Sequence, residues 1–545
     1  LSCQQQREFV SSAAYATQER SLTPSMWKGA GLESFDTHLV ATMEDVSAGP
    51  AAETPFRLAL VGDWSGRASR SLASPSSELR SRRFLIVDRD NLDQVMSKLG
   101  VNLHLPVTVD GSLSLTIGFN QLSDFHPDRM VEQLDIFERF RRTRSGLLDQ
   151  AAFANTAREV REWSNSTLSE TTSEQTILEQ ESREQRPSVG HGSLLDQILE
   201  AEPQNASNSM RASDNISAEI RELAQKAVKP HLLPDNDAER EELLAVVDEA
   251  IGRELRALMH HPHFQALEAA WRALRFLAWR LETGSQLKLH LLDISRQEFE
   301  ADLLGERDIE STALYKIFVE QSPAPWALIC GNYDFGLNDA DARILQRASQ
   351  VASAAGAPFI AGAKSTLVGC ESLAATPDPD DWRLRADAEA DSSWNELKKL
   401  PSARYLGLGL PRFLIRLPYG KATEPIEEFD FEEFPKDSAS NHESYLWANA
   451  TFAIASLLAQ SFSESSWNMG SGDFSEIDGL PLHVYQEEGE SHIKPCAETL
   501  LTVRAAQKLI NLGLMPLISM KNTNVVRLLQ VQSIAGTRLA GRWQS

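Results

Sequence analysis

The stretch His260–Ser295, HHPHFQALEAAWRALRFLAWRLETGSQLKLHLLDIS, constrains the fold more than any other part of the chain. Phe264, Leu267, Trp271, Leu274, Ala278 and Leu281 recur at steps of three and four, the spacing of one helix face. Phe276 and Trp279 fall off that face, so a second side of the helix is expected to be covered as well. Gly284 is expected to end the helix, and Leu287, Leu289, Leu291 and Ile294 then run mostly in alternation, as in a strand. A helix apolar on two sides and fed straight into a strand is scaffold. It does not read as a reaction centre.

At 545 residues the chain exceeds one ordinary core, and two or three domains are expected. The net charge of −24 argues against binding nucleic acid, because a polyphosphate needs a basic surface. The best local basic cluster, Arg139, Arg141, Arg142 and Arg144, reads as a solvated helix end. Cys3, Cys330, Cys370 and Cys496 lie far apart and form no CxxC pair, which points to free thiols in a reducing, cytoplasmic setting. The N-terminus lacks a basic-then-apolar signal pattern. No apolar run approaches the roughly 18 residues of a membrane span, so no membrane insertion is expected.

In chain order, residues 1–54 mix polar, small and turn-forming residues and read as an arm of low order. Phe56, Leu58, Leu60 and Val61 then make a short buried strand, followed by a turn from Gly62 to Gly66. The Gly-x-x-x-Gly spacing invites a phosphate-loop reading, but no GK[ST] follows and Asp63 would repel phosphate. Phe84–Val87 reads as a strand, LDQVMSKLG as a helix closed by Gly100, and Leu103–Val107 and Leu113–Ile117 as two more strands. Asp124–Thr143 reads as one helix entered through Pro127, with Met130, Leu134, Phe137 and Phe140 as its apolar stripe. Residues 55–149 are thus expected to form a small α/β domain.

Residues 150–215 are rich in Ser, Thr, Glu, Gln and Asn and read as a polar linker, because they cannot bury enough surface to offset ordering entropy. One apolar island, 193–199, predicts a short amphipathic helix of Leu194, Leu195, Ile198 and Leu199 capped by Ser193. Such a helix is either a docking peptide or a piece that folds back on the body. From residue 216 to 545 strands and helices alternate, which indicates a larger α/β body with helices on both sides of a mixed sheet.

PFRLALVGDWSGR, RFLIVDRDNLDQVMSKLGVNLHLPV and SDFHPDRMVEQL resemble, in that order, the small sheath subunit of bacterial type VI secretion systems, the TssB or VipA family. LMHHPHFQALEAAWRALRFL, PWALICGNYDF, ASQVASAAGAPFIAGA, ARYLGLGLPRFLIRLPYG, SYLWANATFAIASLLAQSF, GLPLHVY and KPCAETLLTVRAAQKLINLGLMPL resemble the large subunit, the TssC or VipB family, over residues 193–535. The chain is therefore similar to both subunits joined in one polypeptide, and the C-terminal region of the large subunit is expected to be absent. The resemblance implies a cytoplasmic, non-enzymatic structural subunit that assembles with its own kind around an inner-tube, Hcp-like protein on a baseplate and contracts without a cofactor. It also implies that a ClpV-type unfoldase docks on Leu194, Leu195, Ile198 and Leu199. The early end keeps a second reading open, a cap, adaptor or terminator that binds a lattice end without propagating it.

The remaining residue clusters favour packing over chemistry. His260, His261 and His263 are split by Pro262 and lack supporting carboxylate or cysteine pairs, so capping is expected rather than metal binding. Asp124, His126 and Asp128 read as a helix entry. Arg404, Arg412 and Arg416 are expected to pair with carboxylates such as Glu427, Glu428 or Asp430 across an interface. No nucleophile elbow surrounds Ser393, His442 or Cys330, and Trp271, Trp279, Trp394 and Trp447 are expected in the core. No catalytic, cofactor or metal residues are assigned.

Overall fold

Phe56–Gly62 is buried along its whole length, and the computed structural model places it inside a large sheet, with strands on both sides. The structure describes residues 50–51, 53–72, 74–106, 114–161, 240–383, 388–435, 442–469, 476–487 and 489–543. The segment of Leu194, Leu195, Ile198 and Leu199 lies outside them.

The strands in chain order are β1 (Phe56–Gly62), β2 (Leu85–Val87), β3 (Val101–Pro106), β4 (Ser114–Phe119) and β5 (Leu287–Asp293). There follow β6 (Leu328–Phe335), β7 (Phe359–Ala363), β8 (Leu406–Leu410), β9 (Phe413–Leu414) and β10 (Trp447–Ala448). The last are β11 (Glu476–Ile477), β12 (His483–Glu487), β13 (Glu490–Lys494), β14 (Met515–Ser519) and β15 (Val526–Leu528). Among the described residues nine of these form one mixed sheet in the order β11-β15-β14-β8-β7-β6-β1-β5-β2.

The helices that bear on the sheet and the seam are α1 (Leu92–Leu99), α2 (Pro127–Gln133), α3 (Glu138–Leu148), α4 (Arg240–Met259) and α5 (Pro262–Arg280). They continue with α6 (Arg296–Gly305), α7 (Asp339–Ala355), α8 (Ala450–Ser465) and α9 (Val503–Asn511). The period-two alternation of β1 assigns its side chains to two cores. Leu58 and Leu60 pack with residues of α5 and α8, and Ala59 and Val61 pack with residues of α6 and α7. A strand covered on both faces reads as a near-continuous apolar run, and FRLALVG is one apart from Arg57, whose guanidinium bonds to His290 and the Ala324 carbonyl.

The first segment does not close a sheet of its own around β1. β1 pairs in parallel with β5 (Leu58 opposite Leu289) and with β6 (Leu58 opposite Leu328), while β2 pairs antiparallel with β5. Only the β3–β4 hairpin stays separate, and it packs near α5. The two family-like stretches therefore share one sheet.

Three local expectations change. The helix expected to run to Gly284 stops at Arg280, with Leu281 already extended. Trp279, expected in the core, is 40 % exposed and stacks with the guanidiniums of Arg275 and Arg89. Asp124–Thr143 is not one helix: α2 and α3 are separated by Leu134, whose backbone is extended, although Met130, Leu134, Phe137 and Phe140 are all buried.

Candidate functional site: the seam between the two halves

The seam is built where β1 leaves the sheet. The amides of Trp64 and Ser65 donate to Asp293 Oδ1 at 2.8 and 3.1 Å, and Ser65 Oγ donates to Asp293 Oδ2 at 2.8 Å. Burial raises the Asp293 carboxyl above its ordinary value, against those three hydrogen bonds. The Trp64 indole meets Trp271 edge-on at 5.9 Å, and Trp271 Nε1 donates to the Trp64 carbonyl at 2.9 Å. Both rings are fully buried, so the apolar contact and the polar contact reinforce one another.

Beside it lies Glu298, buried at the third position of α6 in a capping box with Ser295. Arg82 binds it in two-pronged fashion, NH2 to Oε1 at 2.6 Å and NH1 to Oε2 at 2.9 Å. Arg67 adds NH2 to Oε1 at 2.8 Å, and the Ser74 amide adds 2.9 Å to the same oxygen. Burial alone would raise this carboxyl, but the bonds from Arg82, Ser74, Ser295 and Arg67 outweigh it and hold it at about 2. One carboxylate of the second half thus fixes three residues of the first.

The glycine pair that invites a phosphate-loop reading serves this seam. Asp63 accepts from the Arg67 and Ala68 amides, both at 2.7 Å, and so occupies donors that a phosphate would need. Gly66 has φ +78°, and a Cβ there would lie 2.2 Å from the Asn102 carbonyl oxygen. Gly66→Ala is therefore expected to lose about 1–3 kcal/mol from backbone conformation alone, with the clash adding to it, read as a lower denaturation midpoint.

A second buried cluster fastens α5 to the chain after β9. Arg416 bridges two carboxylates, Nε to Glu268 Oε1 at 2.8 Å and NH1 to Glu433 Oε2 at 2.7 Å. Glu268 also takes Arg272 Nε at 2.7 Å, and Glu433 takes the Tyr419 amide at 2.8 Å and faces His260 Nε2 at 3.3 Å. Burial opposes ionisation of Glu433, but the charge of Arg416 prevails and holds that carboxyl at about 2.

Of the three arginines singled out in the sequence, Arg416 is buried here and Arg412 pairs with Glu498 at 2.6 Å and Glu443 at 3.1 Å. Arg404 is exposed. Their partners within the chain are not Glu427, Glu428 or Asp430. The amides of Glu427 and Glu428 instead donate to Asp128, and Asp430 pairs with Lys421 at 2.7 Å. A buried guanidinium needs carboxylates already withdrawn from water, and those come from α5 and from Glu433. The helix-entry readings are found: His261 and His126 each accept from the amide two residues on, at 3.2 and 3.3 Å. Ser393 Oγ donates to Asp339 at 2.6 Å. Sequence reasoning missed Asp293, Glu298, Glu268 and Glu433; only Glu298 carried a signal, the Ser295-x-x-Glu298 capping pattern.

The family model for EvpB/VC_A0108, tail sheath N-terminal domain (VipB), matches residues 241–535. That is more than half of the chain's 545 residues. This chain belongs to the type VI secretion tail-sheath family. The model for the type VI secretion system VipA family (VC_A0107 or Hcp2) matches residues 40–182. Sheath protein TssC1 of Pseudomonas aeruginosa is 32 % identical over 337 residues, 59 % of this chain and 67 % of the relative. Sheath protein TssB1 of the same organism is 27 % identical over 99 residues, 17 % of this chain and 55 % of the relative. The protein is a structural sheath subunit that carries a TssB-like and a TssC-like stretch in one chain. The seam joins them: Arg67, Arg82 and Trp64 lie in the VipA match, and Trp271, Asp293 and Glu298 lie in the VipB match.

Proposed function

We propose that this sheath protein assembles with copies of itself in the cytoplasm around an Hcp-like inner tube on a baseplate, and expels the tube by contracting. Its role is mechanical and non-enzymatic, and a ClpV-type unfoldase recycles it through the 193–199 segment. The observation that supports this reading is the position of β1, hydrogen-bonded to β5 on one side and β6 on the other. A subunit whose two family-like parts share a central strand moves as one body, so work done at a lattice contact is not lost in sliding between them. No helix among the described residues is long and apolar enough to cross a membrane.

Negative-stain electron microscopy of the purified chain, alone and with its tube protein, tests the proposal. Long hollow helical tubes support it; monomers, discs or rings under both conditions overturn it.

Residues 153–161 of the expected 150–215 linker form a helix, with Ala157 and Val160 buried in the core. The tether that follows, residues 162–215, fixes the ratio of the parts and raises their effective concentration. The shared sheet makes it dispensable after folding. A protease site placed in that segment and cleaved in the native protein is expected to give two fragments that co-elute from a sizing column and separate only in denaturant. Fragments that part under native conditions would show that the tether, not the sheet, holds them together.

A further inference from the structure

The β12–β13 ribbon (His483–Glu487 and Glu490–Lys494) is a two-stranded sheet of its own, with Val484 50 % exposed and Glu490 and Ser491 in solvent. A lone two-stranded hairpin is marginal in water, so its order depends on what holds its root. Both strands are gripped at the root by one short segment, His442–Trp447. On β12, His483 Nδ1 lies 2.8 Å from Tyr445 Oη. On β13, the Lys494 ammonium lies 2.8 Å from His442 Nδ1, with Nζ 4.9 Å from the Tyr445 ring and 5.9 Å from the Trp447 ring. The Trp447 indole in turn donates to the His442 carbonyl at 2.9 Å.

This geometry fixes the tautomer of His442. An ammonium only donates, so Nδ1 is the acceptor, and the ring proton sits on Nε2, which faces Glu498 Oε1 at 3.5 Å. We propose that His442 is a proton-operated clasp: neutral, it holds Lys494 and the ribbon, and protonated, it releases them. A proton on Nδ1 leaves two donors and two positive charges facing one another across the contact, and Lys494 must withdraw from its place over the rings.

The other charged groups around the clasp determine what remains after release. Arg412, which leads into β9, holds Glu498 Oε1 at 2.6 Å and Glu443 at 3.1 Å, and the Arg412 amide donates to Glu498 Oε2 at 3.2 Å. Lys494 faces the carboxylates of Glu498 and Glu443, and on β12 the His483 ring faces Lys494 and Glu433, while Asp334 of β6 faces Arg412. Protonated His442 keeps Glu498 as a partner, so the segment 442–447 stays in place while Lys494 is shed. His442, Glu443 and Glu498 also approach one another closely enough to suggest a metal site. Arg412 and Lys494 already supply the positive charge there, and this favours the clasp.

Hydrogen exchange of the full-length protein, corrected for the intrinsic pH dependence of exchange, tests the inference between pH 8 and pH 5.5. Amides of 483–494 are expected to lose protection on the order of tenfold as the pH falls, the equivalent of one charge-assisted hydrogen bond, while β1 and α8 hold theirs. His442→Asn places an oxygen near Nδ1 and cannot be protonated, so it should keep the ribbon protected at both pH values. Lys494→Met, with no ammonium to expel, should leave the ribbon equally loose at both. A wild-type ribbon indifferent to pH, or a pH-dependent loss that survives in His442→Asn, overturns the clasp. Neither result bears on tube assembly, which is read separately.

Discussion

Arg416→Met is expected to be among the most damaging single substitutions in this chain, with a loss of about 3–5 kcal/mol. It removes the cation that bridges Glu268 and Glu433, both at or below 1 % exposure, and leaves Glu268 to Arg272 and Glu433 to His260 and the Tyr419 amide. The size of the effect comes from stranding those charges rather than from the intrinsic worth of the ion pair. The direction with pH follows from Glu433, which Arg416 holds at about 2, below its ordinary value of 4.5. A depressed carboxyl contributes stability that is present above the unfolded value and is lost as the pH falls toward the folded one. Without Arg416 that depression goes, so the deficit of the variant should be full above pH 5 and shrink as the pH falls from 4.5 toward 2. Arg416→Lys should recover only part of the loss, because an ammonium cannot reproduce the planar fork that reaches both carboxylates. Denaturant midpoints of the three proteins across this pH range check the expectation. A deficit independent of pH would locate the damage in lost packing instead.

Glu298→Gln is expected to cost about 3 kcal/mol at neutral pH, from a shift of the carboxyl from 4.5 to about 2 at ~1.4 kcal/mol per unit. Its consequence is more specific than its size, since Glu298 ties α6 to Arg67, Arg82 and Ser74 of the first half. The wild-type advantage should be complete above pH 5 and fade as the pH falls from 4.5 toward 2, because protonated Glu298 resembles the amide. The fragments of linker-cleaved Glu298→Gln should separate at lower denaturant than those of the cleaved wild type. Arg67→Ala and Arg82→Ala should each do less and combine non-additively, as they share one acceptor. Equal separation midpoints for the two cleaved proteins would mean that the β1 ladders alone hold the seam.

Much of the secondary structure is legible in the chain because it depends on local spacing. The face Phe264–Leu267–Trp271–Leu274 is buried as its three- and four-residue period requires, and Phe56–Gly62, apolar except for Arg57, is a strand covered on both faces. The capping roles of His126 and His261 follow from Pro127 and Pro262 at the next position. Trp279 shows the limit of the pattern. It lies off the main face of α5, and whether it is covered depends on what the rest of the chain places there, which is Arg89 and Arg275 rather than an apolar layer.

The sequence by itself determined most of the helices and strands, though not the break at Leu134 or the end at Arg280, that the chain is acidic, and, through motifs in order, that it resembles two sheath subunits. These properties reside in residues a few positions apart or in the composition of the whole. Only the tertiary structure decided that β1 lies between β5 and β6, and that Glu298 meets Arg67 across 231 residues and Arg416 meets Glu268 across 148. The physical reason is that a carboxylate on a helix looks the same in sequence whether it faces solvent or a guanidinium. Its partner is chosen by how the sheet brings distant strand ends together.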